Sequence, residues 1–221
     1  MIATRFRLTS LTRFGVLFDM LDPDFDPAKL EVILFPNPML RYQAKPVRKV
    51  DLRLRKIIQR MFDLMYEHRG VGLAATQVAL PLRMFVMNPT GDQGTGKEFV
   101  MINPEISRPR SNEEAEEGCL SLPGLHGNVV RSKTIRVNAY DRSGNEIKAD
   151  FSGFEARIIQ HETDHLNGTL FIDRMKEGAI LEMAGELEAL TTDFESRQRT
   201  GAIASNETWQ ALASDWEALY C

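Results

Sequence analysis

The sequence predicts an α+β fold. Helical stretches are interleaved with hairpin-like pairs of short apolar runs, and no internal repeat or regular strand–helix alternation is visible. Length and composition agree with a globular chain. There are 221 residues, 43% hydrophobic and 26% charged, which excludes a wholly disordered or fibrous protein. No uninterrupted apolar run approaches the roughly 18 residues that span a bilayer. The formal net charge of −4 gives no overall electrostatic case for nucleic acid. Two cysteines, Cys119 and Cys221, cannot form a disulfide framework, so a reducing compartment is expected.

The first 18 residues contain Arg5, Arg7 and Arg13 with several Ser and Thr, and no acid precedes Asp19. That composition is compatible with an organellar targeting peptide over residues 1–20, or with an extension of no address value. Residues 21–28 are acidic and broken by proline, as in a linker. Glu31–Phe35 reads as a loop or short strand. Asp51 to His68 is the clearest amphipathic helix. Asp51 is the cap, Leu54, Ile57, Ile58, Met61, Phe62 and Met65 recur at helical spacing, and Gly70 is the expected stop. Arg83–Asn88 and Glu98–Asn103 flank a glycine-rich turn, and Thr134–Tyr140 and Glu146–Phe151 flank Asp141-Arg142-Ser143-Gly144, a hairpin signal. Ser152-Gly153-Phe154-Glu155 has the form of a capping box, launching a helix that Gly168 can end. Ala179–Leu190 is a further helical stretch, followed by a polar, weakly patterned segment. Residues 174–221 hold four basic and nine acidic side chains, an acidic tail on an otherwise balanced chain.

His161-Glu162-Thr163-Asp164-His165 falls inside the capped helix. Two histidines four apart project from one helical face. Phe154, Ile158, His161 and His165 share a stripe, so that face is expected to be buried. Two buried imidazoles cost free energy unless something satisfies them, and a divalent metal does. Glu162, beside the first histidine, can accept a proton from a water at the ion, which is why the pattern recurs in metal hydrolases. The bland alternative is a surface helix with chance histidines. A third ligand is needed, and no histidine follows His165. Cys119, between Gly118 and Ser121-Leu122-Pro123, is the strongest upstream candidate. Alone, it is read more readily as a small buried hydrophobe, the usual fate of a free cysteine. His68 and His126 are read as non-ligands. In Gly70-Val71-Gly72-Leu73-Ala74-Ala75-Thr76-Gln77 the glycines superficially match a dinucleotide fingerprint. A helix, not a strand, precedes them, so that reading fails. Small residues here suggest backbone lying close to something such as an extended substrate, with Gln77 offering an amide donor.

These three segments together resemble peptide deformylase, in which Gly-φ-Gly-φ-Ala-Ala-x-Gln, Glu-Gly-Cys-Leu-Ser and Gln-His-Glu-x-Asp-His occur in this order. Here they stand at Gly70–Gln77, Glu117–Ser121 and Gln160–His165 without a break, and Ile33–Arg41 is similar to the family's N-terminal region. The likeness covers about residues 31–176. It implies antiparallel sheets around a central helix carrying the His-Glu-x-x-His motif. The chain then divides into an N-terminal extension (1–30), a deformylase-like catalytic domain (31–190) and an acidic tail (191–221).

The resemblance also implies the reaction: a metal-dependent hydrolase removes the N-formyl group from the N-terminal methionine of newly made polypeptides, releasing formate. By that analogy Cys119, His161 and His165 bind the metal, with water in the fourth position. The ion is expected to be Fe2+, with Zn2+, Ni2+ and Co2+ also suited to the donor set. Glu162 would move protons, and the Leu120 N–H and the Gln77 amide would stabilise the formyl oxygen; losing one such donor costs on the order of 3 kcal/mol in the barrier. Gly70, Val71 and Gly72 would pair with the peptide backbone, and Val71 and Ile158 are candidates for the methionine pocket. Asp164 could pair with Arg131. Arg157, one turn before His161, either snorkels away or pairs with a carboxylate such as Glu117. The partners implied are N-formylmethionyl peptides emerging from the ribosome, without direct nucleic-acid binding or a membrane. The compartment is the bacterial cytoplasm, or an organelle if residues 1–20 are a transit peptide. Two competing readings are an endopeptidase with a ligand other than Cys119, and a silent homologue that binds formylated ends.

Overall fold

Helix α1 (Leu52–Glu67) follows the pattern of its sequence closely. Asp51 caps it by accepting from the Leu54 N–H at 2.9 Å, and Leu54, Ile57, Ile58, Met61, Phe62, Leu64 and Met65 are buried. The stop is displaced by one residue from the expected glycine: Arg69 takes the left-handed conformation (φ 57°), and Gly70 follows it. These features come from a computed structural model that describes residues 25–221. The candidate targeting segment and residues 21–24 of the linker lie outside the described residues.

Strand β1 (Gly72–Ala74) pairs with β2 (Met84–Met87), β2 with β3 (Phe99–Cys119), β3 with β4 (Leu122–Tyr140), and β4 with β5 (Glu146–Ser152). Every pairing is antiparallel and in chain order, so β1 lies at one edge of the sheet. The β2–β3 and β4–β5 hairpins are those the turn chemistry predicts. The β3–β4 hairpin extends far beyond them. Residues 107–114 are exposed throughout and mostly polar, so they show no apolar alternation to read. Two register shifts along β3 accompany positive φ at Asn103 and Arg108 (53° and 52°).

Helix α2 (Gly153–Leu166) starts at Ser152, but the serine side chain makes no capping hydrogen bond, so the expected capping box is not formed. Gly168 (φ 72°) does end it, one residue past the cap Asn167. The helix lies on β4: Gln160 donates to the Ser132 carbonyl at 2.9 Å and accepts from the Ser132 N–H at 3.0 Å. Ile158, Ile159 and Leu166 pack with Phe85, Met101, Ile135, Val137 and Phe151 of the sheet.

The C-terminal part departs most from its sequence reading. Helix α3 (Glu177–Glu182) breaks at Met183 and helix α4 (Ala184–Arg199) follows, running through residue 190 where composition placed the start of a tail. Helix α5 (Asn206–Tyr220) is no loose acidic appendage. It buries Trp209, Leu212, Ala213, Trp216 and Tyr220 in the same cluster as the apolar face of α1. Net charge reports what an amphipathic helix turns toward water, not whether its other face is packed.

Candidate metal centre and active site

Two chain segments far apart in sequence meet at the site. β3 ends at Cys119, Leu120 and Ser121 turn the chain, and β4 begins at Leu122. α2 brings its two histidines against this turn. Cys119 Sγ lies 3.3 Å from His165 Nε2, and His161 Nε2 lies 3.2 Å from His165 Nε2. Among the described residues this is the group of His, Cys and carboxylate side chains able to hold an ion, with all three donor atoms within 4.8 Å of one another. A tetrahedral ion with ordinary metal–sulfur and metal–nitrogen bonds would set its N···N and S···N edges at about 3.3 and 3.6 Å. The triangle is therefore already near the size such an ion requires.

The electrostatics point the same way. Burial disfavours charge on His161, yet hydrogen bonds with Cys119 and Glu117 and the charge of Glu162 raise it to about 10. The groups around His161 favour positive charge at this place. Burial chiefly, and then the charge of His161, holds His165 well below its ordinary value, as suits a neutral imidazole ligand. His161 Nδ1 faces Glu117 Oε2 at 2.9 Å, a carboxylate–imidazole contact that fixes the ring and leaves Nε2 for the ion. Glu117 is itself buried. Burial alone would raise its carboxyl, but the hydrogen bonds from Arg131 and His161 hold it well below the usual carboxylate range. Arg131 grips both oxygens at 2.9 Å and also pairs with Asp164, which Arg174 engages from the other side. The Arg131–Asp164 and Arg157–Glu117 pairs considered from sequence are both present.

Glu162 is 4% exposed, and its Oε2 has no hydrogen-bond partner. Burial pushes its carboxyl up to about 7. β1 runs directly over it. A Cβ at position 72 would lie 2.7 Å from Glu162 Cδ, so only glycine allows this approach. Gln77 accepts from the Ala74 N–H at 2.9 Å, which turns its amide toward Ser121 Oγ (3.2 Å) and Cys119 Sγ (3.4 Å). One cavity of about 540 Å³ is lined by Gly70, Val71, Gly72, Gln77, Cys119, Leu120, Ile158, His161 and Glu162. His165, 1% exposed, adjoins that lining through Cys119 and His161. All ten residues singled out from sequence therefore gather at one place.

Phe154 departs from its expected place. Helical spacing puts it on the buried stripe with Ile158, yet it is 55% exposed on the cavity lining while Ile158 is 3% exposed. His126 also lines the cavity but stands outside the donor triangle. Glu117 and Arg157 were not chosen as site residues from sequence. The missing signal is the β3–β4 register: once Cys119 is known to end a strand, Glu117 lies two residues back along it, beside β4 on which α2 packs.

A cysteine sulfur, two imidazoles and a buried carboxyl group around one cleft on an α+β scaffold describe a metal-dependent hydrolase. Comparison with known proteins gives the particular family. The model of the polypeptide deformylase family matches residues 29–179. A peptide deformylase of Rhodopirellula baltica is 50% identical over 191 residues, covering 86% of this chain and 95% of that protein. Peptide deformylase 1B of Arabidopsis thaliana, chloroplastic/mitochondrial, is 40% identical over 169 residues, covering 76% of this chain and 62% of that protein. Among solved structures, a plant peptide deformylase superposes with a TM-score of 0.74 at 39% identity over 78% of this chain and 93% of that one. The Thermotoga maritima peptide deformylase superposes with a TM-score of 0.63 at 44% identity over 66% and 97%. The chain belongs to the peptide deformylase family, metal-dependent hydrolases that remove the N-formyl group from newly made polypeptides. No helix of the described residues is long and apolar enough to cross a membrane.

Proposed function

We propose that Cys119, His161 and His165 hold one divalent ion and that Glu162, Gln77 and the Leu120 N–H act beside it on the formyl group of N-formylmethionyl peptides. The observation that carries this reading is the triangle of one sulfur and two Nε2 atoms, with edges of 3.2 and 3.3 Å at His165, on the same cavity as Glu162. The ion, when bound, supplies Lewis acidity that makes water nucleophilic near neutral pH and polarises the formyl oxygen. Glu162, on the same cavity and with its Oε2 unpartnered, accepts a proton from the attacking water and returns one to the departing amine. The water oxygen adds to the formyl carbon, the C–N bond breaks, and formate and a free amine leave. Gln77 Nε2 and the Leu120 N–H donate to the formyl oxygen as it gains negative charge.

The outer edge of β1, at the end of the sheet, supplies substrate contacts. Backbone groups of Gly70, Val71 and Gly72 pair with the peptide as an added strand, which tolerates varied sequence, while Val71 and Ile158 shape the methionine pocket. The donor set accommodates iron(II), zinc, nickel and cobalt, and iron(II) is the ion proposed. Bacterial and plant-organellar relatives support work wherever formyl-methionine begins new chains, the bacterial cytoplasm in the first instance. The test is formate release from a formyl-methionyl tripeptide by wild type and Glu162→Ala, each loaded with iron, zinc or nickel under anaerobic conditions. Wild type is expected to turn over and Glu162→Ala to lose about 10²–10⁴ in kcat. Equal inactivity of both with every metal would overturn the assignment. Metal analysis of protein purified without oxygen identifies the ion.

A further inference from the structure

Arg157 is a cation on the ligand helix, one turn before His161, and the proton chemistry described above gives it no task. It is 8% exposed. Its guanidinium reaches across to the hairpin that carries Cys119. Nη1 donates to Glu117 Oε1 at 2.7 Å and to the Val129 carbonyl at 2.9 Å, and Nη2 donates to the Glu113 carbonyl at 2.8 Å. The Ala115 carbonyl lies at the edge of hydrogen-bond range, 3.5 Å from Nη1. One side chain of α2 thus binds β3, β4 and the carboxylate that orients His161.

Charge alone does not explain it. Glu117 already has a bidentate partner in Arg131. With Asp164 counted, Arg131 and Arg157 balance two buried carboxylates, but charge balance alone would not require the Val129 and Glu113 carbonyls that Arg157 also binds. What Arg157 adds is position. Arg131 ties the hairpin to Asp164, next to His165. Arg157 ties the same hairpin to the helix four residues before His161. The two ligand histidines therefore lie on a stretch of helix pinned at both ends to the strand pair that presents the sulfur.

We propose that Arg157 is a positioning residue of the metal centre, a clamp that sets the spacing between Cys119 and the histidine pair and locks the Glu117–His161 contact. The proposal rests on the metal-site reading above. Arginine is required because its planar fork reaches several acceptors at once, whereas a lysine ammonium is a point charge on a flexible stem.

The two explanations of Arg157 predict opposite signs. If its charge were what mattered, Arg157→Met would tighten metal binding by removing a neighbouring cation, and Arg157→Lys would leave it unchanged. A clamp predicts that both variants weaken binding. The experiment is competition of the purified full chain with a chromophoric chelator for Zn2+, together with the cobalt–thiolate absorption band of the Co2+ form. The expected result is a tenfold or greater rise in the Zn2+ dissociation constant for both variants, the range typical of residues that orient ligands, and a shifted or weakened cobalt–thiolate band. Guanidinium ion added to Arg157→Ala should restore part of the affinity. Unchanged Zn2+ affinity and an unchanged cobalt band in folded Arg157→Lys, even with a lowered Tm, overturn the clamp and leave Arg157 a purely structural residue. Tighter binding in Arg157→Met overturns it in favour of charge. If Arg157→Met does not fold, the lysine variant decides. Wild type that takes up no stoichiometric Zn2+ would instead defeat the metal-site reading, so the two failures are distinguishable.

Discussion

The layer formed by α2 and the β3–β4 hairpin and the layer formed by α1 and α5 are both buried, but by different physics. In the first, Glu117, Arg131, Arg157, Glu162, Asp164 and His165 are all nearly inaccessible, and charge-assisted hydrogen bonds join Glu117, Arg131, Arg157 and Asp164. In the second, Leu54, Ile57, Phe62, Trp209 and Trp216 pack without a charged network. Buried ions are weak evidence of stability but good evidence of specificity in position. Apolar burial is the reverse. Chemistry should therefore be separable from folding. The sharpest break between the two is removal of the ion. A strong chelator is expected to abolish formate release while native far- and near-ultraviolet circular dichroism persist, because both large apolar clusters form without the three metal ligands. Loss of the native spectrum together with activity would show that the ion also holds the fold.

The complementary experiment strikes the other layer. Trp216 is wholly buried against α1. Trp216→Ala should cost about 3–5 kcal/mol of stability, measured by denaturant melts, through lost burial and the cavity left behind. Turnover and metal content per folded molecule should stay at the wild-type level. A variant that folds but loses its metal would mean that the back layer supports the site after all.

These regions also differ in how far sequence reveals them. The metal layer was legible because its chemistry needs particular residue types at fixed spacing, and Cys119, His161, Glu162 and His165 have few alternative explanations when they occur together. Its supporting charges were less legible. The Arg157–Glu117 pair, 40 residues apart, stood in the sequence as one of two alternatives, and only the hairpin register and the path of α2 decide between them. Amphipathic spacing revealed α1 but not the packing of α5, whose Trp209, Leu212, Ala213 and Trp216 form a clear stripe masked by acidic neighbours. The long β3–β4 hairpin was hidden because its exposed residues 107–114 alternate nothing. Each omission has one cause: pattern reading detects burial on one face of one element, and these features depend on pairing between elements.

Within the metal layer, Gly72 offers a finer cut. An added methyl group would press on the Glu162 carboxylate, and the strand or the side chain must give way. Gly72→Ala is expected to lower kcat by about 10²-fold, the scale of a displacement near 1 Å at a reacting group, with Zn2+ affinity little changed. Equal kcat would show that β1 can yield without moving the carboxylate.

The smallest expected effect belongs to the back layer and concerns pH. Tyr220 donates to Asp51 Oδ1 at 3.1 Å, and Tyr42 donates to Glu217 Oε1 at 2.8 Å, so both tyrosines fasten α5 to the body. Burial first, and then the neighbouring carboxylate in each case, pushes both hydroxyls up to about 12 from an ordinary value of 10. A group that holds its proton more tightly when folded contributes stability that is complete below its unfolded value and is lost as pH rises through the folded one. The contribution should therefore be intact below about pH 10 and vanish toward pH 12, a window set by the two shifts. Tyr42 is partly open to solvent, which screens its share, while Tyr220 is buried; each contributes a single hydrogen bond, so the effect is modest. Thermal melts between pH 9 and 11.5 should show a declining Tm, and Tyr220→Phe together with Tyr42→Phe should flatten that decline relative to wild type. An identical slope in the double variant would place the alkaline weakness in other groups and leave α5 held by its tryptophans alone.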